Sequence, residues 1–505
     1  MFGVLSNAVQ VGTRLVMIPV VIYHLGLGGY GIWAIIMATA SYMRFGSAGI
    51  KSAFQKYVAE ATGTGDFETA NGLLSTGSIC MLALSLAGLV PLALYSRKLA
   101  QVSGVPPEFL KAAAGSITLL AIIMVVANFG AVFDAIVMGG HRIDLTRTFY
   151  IVSSVGEAAA IIGLLHFGYG LFAMAATIAG SELVYVVCCF LASRRVVPEI
   201  CISTRYFTST AFRELIRFAG SYQLVSILEL LYGMLLPVIM LKYFGAEIAG
   251  VYALVSRLVT ASLMGQDALI LPLLSGGTLV FASGSAERIR RFFKKSFKVT
   301  LAVSLLPLTF LAAFGTLLIL AWASQKGPEF RIAIWLICLA GLFQSISRLQ
   351  LILYRASGNA LHDSIRQAWR LGVLVVLAAL GAQIGFYGVL TGVAAAELIG
   401  VIYMFFAMTS ALHFFSLKDL LSDAMKLTAA TVMMIAAGVA VATLHTAGGT
   451  NERTMALVKL AEISVTCLIA SWPAIALTKS MSTEEQRTVL NLLIPSRRAV
   501  VVANQ

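Results

Sequence analysis

The chain has 505 residues, 59% hydrophobic and only 12% charged, with a mean hydropathy of +0.90. Ordinary soluble domains carry about 25% charged residues, so this composition excludes a soluble globular protein. The net charge of +13 is not a nucleic-acid signature, because the basic residues lie in short loops between apolar runs, where the membrane-topology rule accounts for them.

A spanning helix needs about 20 largely apolar residues. Fourteen stretches qualify: 3–23, 31–49, 72–95, 112–138, 147–166, 170–192, 216–241, 249–273, 297–322, 331–354, 367–385, 388–410, 426–445 and 456–478. Only helices and closed barrels satisfy their own backbone in lipid, and runs this long are not barrel strands. The expected fold class is therefore all-α and polytopic, with about 14 transmembrane helices.

The first span carries Asn7, Gln10 and Arg14. At about 100° per residue these fall within about 60° of one another on one side of a helix. A cation at the centre of a spanning helix costs about 2.5–3.5 kcal/mol on the insertion scale, so Arg14 is expected to face protein, water or an anionic ligand. No basic leader or cleavage site precedes the next polar loop, so the span reads as retained. It ends in the glycine-rich turn His24–Gly31.

Of the 36 Lys and Arg, three (Arg14, Arg257 and Arg348) lie within spans. Eight fall on one side: Arg97, Lys98, Lys111, Lys242, Lys326, Arg331, Arg453 and Lys459. The other 25, the N-terminal side's loops and the tail, include Arg44, Lys51, Arg147, Arg366 and Arg370. This asymmetry predicts a cytoplasmic N-terminus and, with an even span count, a cytoplasmic C-terminus. The outer loops are short; the longest, about 96–111, folds no domain. Two inner segments are amphipathic. One is Ala211–Phe218; the other is Glu287–Lys298, basic with Phe292, Phe293 and Phe297, which reads as a surface helix on anionic headgroups.

Pro19–Ile35 (PVVIYHLGLGGYGIWAI) and Pro237–Leu254 (PVIMLKYFGAEIAGVYAL) share a proline, an apolar run and two glycines at the same spacing, Gly26/Gly31 and Gly245/Gly250. Gly140 and Gly170 recur at one common offset as Gly358 and Gly388, and the spans that Gly170 and Gly388 open carry Glu182 and Glu397. The chain thus reads as an N-terminal six-helix lobe (1–193), a cytoplasmic linker (194–215), a second six-helix lobe (216–410), two additional helices (411–479) and a cytoplasmic tail (480–505). Repeats of six helices insert in the same orientation, related by an axis along the membrane normal with a site between them.

Seven acids lie inside spans: Asp134, Glu157, Glu182, Glu229, Asp267, Glu397 and Glu462. Ionisable groups at that depth mark ion and substrate paths. The six cysteines lack CxxC spacing and the six histidines form no ligand pattern, so neither a disulfide framework, a metal site nor a cofactor is expected.

Three stretches resemble a known family. They are Leu25-Gly-Leu-Gly-Gly-Tyr-Gly-Ile-Trp-Ala-Ile35 with Phe45–Ile50, Tyr57-Val-Ala-Glu60 and Gly65-Asp66; Leu215-Ile-Arg-Phe-Ala-Gly220; and Gly250-Val-Tyr-Ala-Leu-Val-Ser-Arg-Leu258 with Leu271-Pro-Leu-Leu-Ser275. The sequence resembles the Wzx-type lipid-linked oligosaccharide flippases of the MOP (multidrug/oligosaccharidyl-lipid/polysaccharide) superfamily, whose members are MATE-like exporters. It departs from them at Arg44, which stands where the family often has an acid. The resemblance implies two lobes around a cavity lined by spans one, two, seven and eight. It also implies alternating access and a polyprenyl-diphosphate-linked glycan moved between leaflets in cell-surface polysaccharide (lipopolysaccharide, O-antigen or exopolysaccharide) synthesis. Polysaccharide polymerase and chain-length machinery would be the partners, in the bacterial inner membrane.

A diphosphate is best held by Arg, whose planar fork donates paired hydrogen bonds. Arg14, Arg257 and Arg44 are the candidates, with Gln10 and Asn7 beside Arg14. Glu229, mid-span on a stripe with Tyr222, Ser226 and Gly233, and Asp267 are expected to couple a proton or sodium ion; plain pairing of Glu229 with Arg14 is the competing reading. A multidrug or cation antiporter and a lipid II flippase of the same superfamily are alternatives. An enzyme is disfavoured by the short outer loops.

Overall fold

A computed structural model describes residues 2–41, 47–267, 269–282, 285–356, 361–412, 417–444, 452–478 and 480–481. Among them are fifteen α-helices, one short 3-10 turn (Thr204–Tyr206) and no strand. In chain order the helices are α1 (Phe2–Ser41), α2 (Ser47–Thr64), α3 (Phe67–Val102), α4 (Pro107–Gly139), α5 (Ile143–His166), α6 (Leu171–Val196), α7 (Ser209–Ser262) and α8 (Met264–Asp267). There follow α9 (Ile270–Ala282), α10 (Ala286–Ala323), α11 (Glu329–Ala356), α12 (Leu361–Ile384), α13 (Phe386–Leu412), α14 (Leu417–Leu444) and α15 (Glu452–Thr478). Twelve of the described helices are long and apolar enough to cross a membrane, and the chain is a multi-pass membrane protein.

The step from fourteen predicted spans to twelve long helices has one cause, met twice. The first predicted span and most of the second run as α1, and the seventh and most of the eighth run as α7, each broken at a single residue. Gly26 stands at φ 73°, ψ 170° and Gly245 at φ 85°, ψ 176°. Both lie in a region of backbone space that glycine alone occupies at low cost. A multi-residue loop is therefore unnecessary. Gly26 and Gly245 are equivalent positions of the two copies, so the repeat read from the sequence is expressed as backbone geometry.

Contacts divide the chain into two compact units, Met1–Ala253 and Leu254–Gln505, and the division falls inside α7. In the first unit α4 is the hub, packing chiefly on α6 and α3 and also on α1 and α2. One core cluster joins Phe54 and Val58 of α2, Leu74 and Met81 of α3, Val132 and Ile136 of α4, and Val197 and Ile200 beyond α6. The segment after α6 is tied down by polar groups of α3. Asn71 donates to the Glu199 carbonyl and accepts from the Cys201 amide (3.2 and 2.9 Å), while Ser75 and Thr76 accept from the amides of Ser203 and Thr208 (3.2 and 3.1 Å). Buried backbone groups need such partners, so this linker is strapped to α3. The Gly65-Asp66 pair starts α3: Gly65 takes φ 81° and Asp66 caps the helix, accepting from the Thr69 amide at 3.1 Å. The Thr69 side chain and then its backbone N–H hold the Asp66 carboxyl below the usual carboxylate range.

Also within this unit, α1 and α7 touch through glycine. A Cβ on Gly31 would collide with the Ala246 carbonyl oxygen, and one on Gly250 with that of Leu27. Leu27 corresponds to Ala246 in the repeat, as Gly31 does to Gly250. The contact is reciprocal, as in a two-fold interface, and uses small residues to bring backbones together, as membrane helices do.

In the second unit α13 packs on α12 and α11, α10 on α11, and α14 on α15. The basic start of α10 differs from the expected surface helix. Phe293 is buried with Leu349, Tyr354, Met404 and Leu420, and Phe292 and Phe297 pack against the same cluster. Glu287–Lys298 is thus the opening of a spanning helix, whose phenylalanine face is taken up by protein and not by lipid. Lys294 reaches Asp423 of α14 at 3.6 Å.

Candidate functional site

In the first unit α1, the C-terminal half of α4, the N-terminal half of α5 and the middle of α6, with the start of α2, enclose a cavity of ≈ 560 Å³, within the range of small-molecule sites. Helical spacing builds its walls. Arg147, Tyr150, Ser154 and Glu157 recur every three or four residues on one face of α5; Asn128, Ala131 and Asp134 do so on α4, and Ile178, Glu182 and Tyr185 on α6. Residues three and four apart share a helix face. In lipid such polar stripes must turn inward.

Six charged groups line the space: Arg14, Lys51 and Arg147 against Asp134, Glu157 and Glu182. Asp134 is 3% exposed and pairs through Oδ2 with Lys51 of α2. Its Oδ1 has no donor in hydrogen-bond geometry among the described residues, though the Tyr185 hydroxyl lies near enough to interact with the carboxylate, and Nε of Arg147 donates to none. Ser181 donates to Glu157 Oε2 at 2.7 Å, and Ser153 to the Ser181 carbonyl at 2.9 Å, which locks α5 to α6 beside the cavity. Asn128 donates to Ser85 of α3 at 2.9 Å. The Tyr150 and Tyr185 rings meet edge to face, centroids 6.1 Å apart.

The predicted site residues divide. Arg14 is exposed on the cavity wall, near enough to Glu157 for a favourable charge interaction. Glu229 lines a separate pocket of ≈ 230 Å³ in the same unit, with Ala38, Ser41, Leu230, Gly233 and Met234. Arg14 and Glu229 thus line different pockets, and the acid that interacts with Arg14 is Glu157. In the second unit Asp267 pairs with Arg348 of α11 at 2.9 Å, and the neighbouring Gln266 donates to the Ser345 carbonyl at 2.8 Å, pinning α8 to α11. Arg257, half-buried on α7, belongs to the second unit. Arg44 lies outside the described residues, and so do the side chains of Asn7, Gln10, Tyr222 and Ser226; Gly358 and nearly all of the predicted tail lie outside them too.

A second charged cluster lies in the second unit. Arg370 of α12 donates to Glu397 of α13 through Nε (2.8 Å) and Nη2 (2.5 Å), both side chains 3% exposed. Its Nη1 donates to Gln367 at 3.1 Å; Arg366 donates to Ser347 of α11 at 2.8 Å and faces Asp363 at 3.6 Å. Three helices are tied by charge-assisted hydrogen bonds in a neutral, sealed group.

A charge count along the chain hides four cations. Lys51, Arg147, Arg366 and Arg370 read as positive-inside anchors, yet each is turned to a cavity or a buried partner. The sequence carries a signal for two of them: Asp144-x-x-Arg147 and Asp363-x-x-Arg366 open helices at equivalent places in the two copies of the repeat. Among the described residues no group of His, Cys, Asp and Glu is arranged to hold a metal ion.

No protein-family model and no curated protein matches the chain. Solved structures do match it. The lipid II flippase MurJ in an inward closed conformation is 16% identical with a TM-score of 0.68, over 94% of this chain and 99% of that one. An inward-facing multidrug resistance MATE family transporter of the MOP superfamily is 15% identical with a TM-score of 0.62, over 82% and 96%. A MOP superfamily transporter from Pyrococcus furiosus is 15% identical with a TM-score of 0.57, over 82% and 92%. At these identities the likeness establishes the fold alone, one shared with these transporters.

Proposed function

We propose that this protein is a flippase that carries a polyprenyl-diphosphate-linked oligosaccharide across the bacterial inner membrane by alternating access, in cell-surface polysaccharide synthesis. The observation that carries the reading is the charged, polar cavity of ≈ 560 Å³ between apolar helices, in a chain whose fold resembles that of MurJ and MATE transporters. Polar space among such helices serves a hydrophilic cargo. Arg14 takes the diphosphate, through the paired hydrogen bonds that a guanidinium gives to phosphate oxygens; Arg257 and Arg44 are further candidates, as are Gln10 and Asn7 beside Arg14. Glu229 and Asp267 are the candidates for coupling to a proton or sodium gradient. Both termini are cytoplasmic, and a polysaccharide polymerase with its chain-length machinery consumes the product.

An in-cell flipping assay tests this. Arg14→Ala and Arg257→Ala, at normal membrane levels, are expected to abolish glycan export; full export by both removes the diphosphate assignment. Glu229→Gln is expected to change the dependence on external pH, and unaltered transport at every pH removes its coupling role. One observation favours a second reading, a cation antiporter: Glu157 and Glu182 both stand on the cavity wall. Proton-coupled efflux of a lipophilic cation from loaded vesicles, with no movement of lipid-linked glycan, would establish that reading instead.

A further inference from the structure

The cavity of the first unit is balanced in charge, and that balance limits what fits it. Its three cations face three carboxylates. A diphosphate lodged deep among them would meet Asp134, Glu157 and Glu182 at short range, and like charges in a low-dielectric site repel strongly. A neutral ligand escapes that cost. It must still satisfy what the walls leave open: an acceptor, Oδ1 of Asp134, on a side chain 3% exposed, and a donor, Nε of Arg147. Buried polar groups without partners are costly, so a ligand that offers both a donor and an acceptor is favoured. The hydroxyls of a sugar do both, each donating one hydrogen bond and accepting others. The same wall carries the rings of Tyr150 and Tyr185, whose faces suit the apolar C–H side of a pyranose.

We propose that this cavity is a sugar subsite that holds one neutral pyranose ring of the cargo. Asp134 accepts from one hydroxyl, Arg147 donates to a neighbouring one, and Tyr150 and Tyr185 pack on the ring. Lys51 orients Asp134 through its other oxygen. The inference rests on the flippase reading and adds a division of labour to it: the sugar is read inside the first unit, and the diphosphate stays at the Arg14 end. Recognition by paired hydroxyl contacts would make the site selective for glycan, where cations alone would accept any polyprenyl diphosphate.

The test uses the full chain in lipid nanodiscs and native mass spectrometry. Three probes are compared: undecaprenyl diphosphate, and the same lipid bearing one glucose or one N-acetylglucosamine. The wild-type protein is expected to bind at least one glycosylated probe about tenfold tighter than the bare lipid, a preference of about 1.4 kcal/mol. Asp134→Asn and Tyr150→Leu are each expected to erase the preference and leave binding of the bare lipid unchanged. Tyr150→Leu alters one side of the cavity and no ion pair, so it decides the matter if Asp134→Asn fails to fold. Equal binding of all three probes by the wild type overturns the sugar subsite and leaves the flippase reading standing. A preference that survives in a folded variant places the sugar elsewhere and also overturns the subsite. Binding of none of the probes removes both.

Discussion

Helices α5 and α12 begin alike and end in different roles. Each opens with Asp-x-x-Arg, at Asp144 and Arg147 in the first unit and at the equivalent Asp363 and Arg366 in the second. Arg147 lines an open cavity, while Asp144 turns outward to Arg142 in a pair 3.1 Å long. Arg366 and Asp363 are sealed with Ser347, and Arg370 beside them is clamped to Glu397. In the register that aligns the two motifs, the residue matching Arg370 is Ile151. One added guanidinium engages the α13 carboxylate, whereas Glu182, the corresponding acid of α6, stands on a cavity wall. The difference teaches that a repeated motif sets where a charge sits, and that its neighbours decide whether the charge serves packing or is kept for a ligand.

The comparison can be broken in a definite order. Arg370→Ala should do the most harm to folding, about 3–5 kcal/mol, because it strands Glu397 in the interior; thermal unfolding in detergent reads this, and the double change Arg370→Leu with Glu397→Leu should recover most of the loss. A single variant as stable as wild type would mean that the cluster is no strut. Gly250→Ala comes next. Its Cβ would press on the Leu27 carbonyl, and overpacking of this kind costs about 1–3 kcal/mol; Gly31→Ala should match it, since the contact is reciprocal. Arg147→Ala should shift stability by only about 0.5 kcal/mol, the scale of changes away from packed features, yet impair glycan export in cells. Equal damage to stability from Arg147→Ala and Arg370→Ala would erase the distinction between the two sites. Arg348→Ala should be similarly mild on stability, about 0–1 kcal/mol, since the pair with Asp267 is partly exposed.

The apolar runs, the repeat and the places of the two glycine turns were legible because hydropathy and backbone freedom act locally, but not that each turn is a single-residue break within one long helix. So was part of the site: Arg14, Asp134, Glu157 and Glu182 stand out as charges inside apolar runs. Lys51 and Arg147 were obscured because they lie close to span ends, where a basic residue ordinarily reaches headgroups. Nothing in a linear count distinguishes a lysine in water from one turned to a carboxylate on the next helix. The polar stripe Arg147, Tyr150, Ser154 and Glu157 was the missed signal, since its spacing of three and four residues shows an inward face before any partner is known. Glu229 and Asp267 show the converse: intramembrane acids stand out in sequence, but their neighbours depend on tertiary packing.

The glycine contact between α1 and α7 has a consequence for how the chain can change over generations. Two copies of a duplicated segment are normally free to drift apart, as Ile151 and Arg370 have done. Where Leu27–Gly31 meets Ala246–Gly250, each copy is the other's wall. A side chain on either glycine would meet a backbone carbonyl of the other copy, which no substitution across the seam removes, so neither glycine can change. Mutational scans should find Gly31 and Gly250 intolerant singly and in pairs, a record of the duplication kept by contact and not by function.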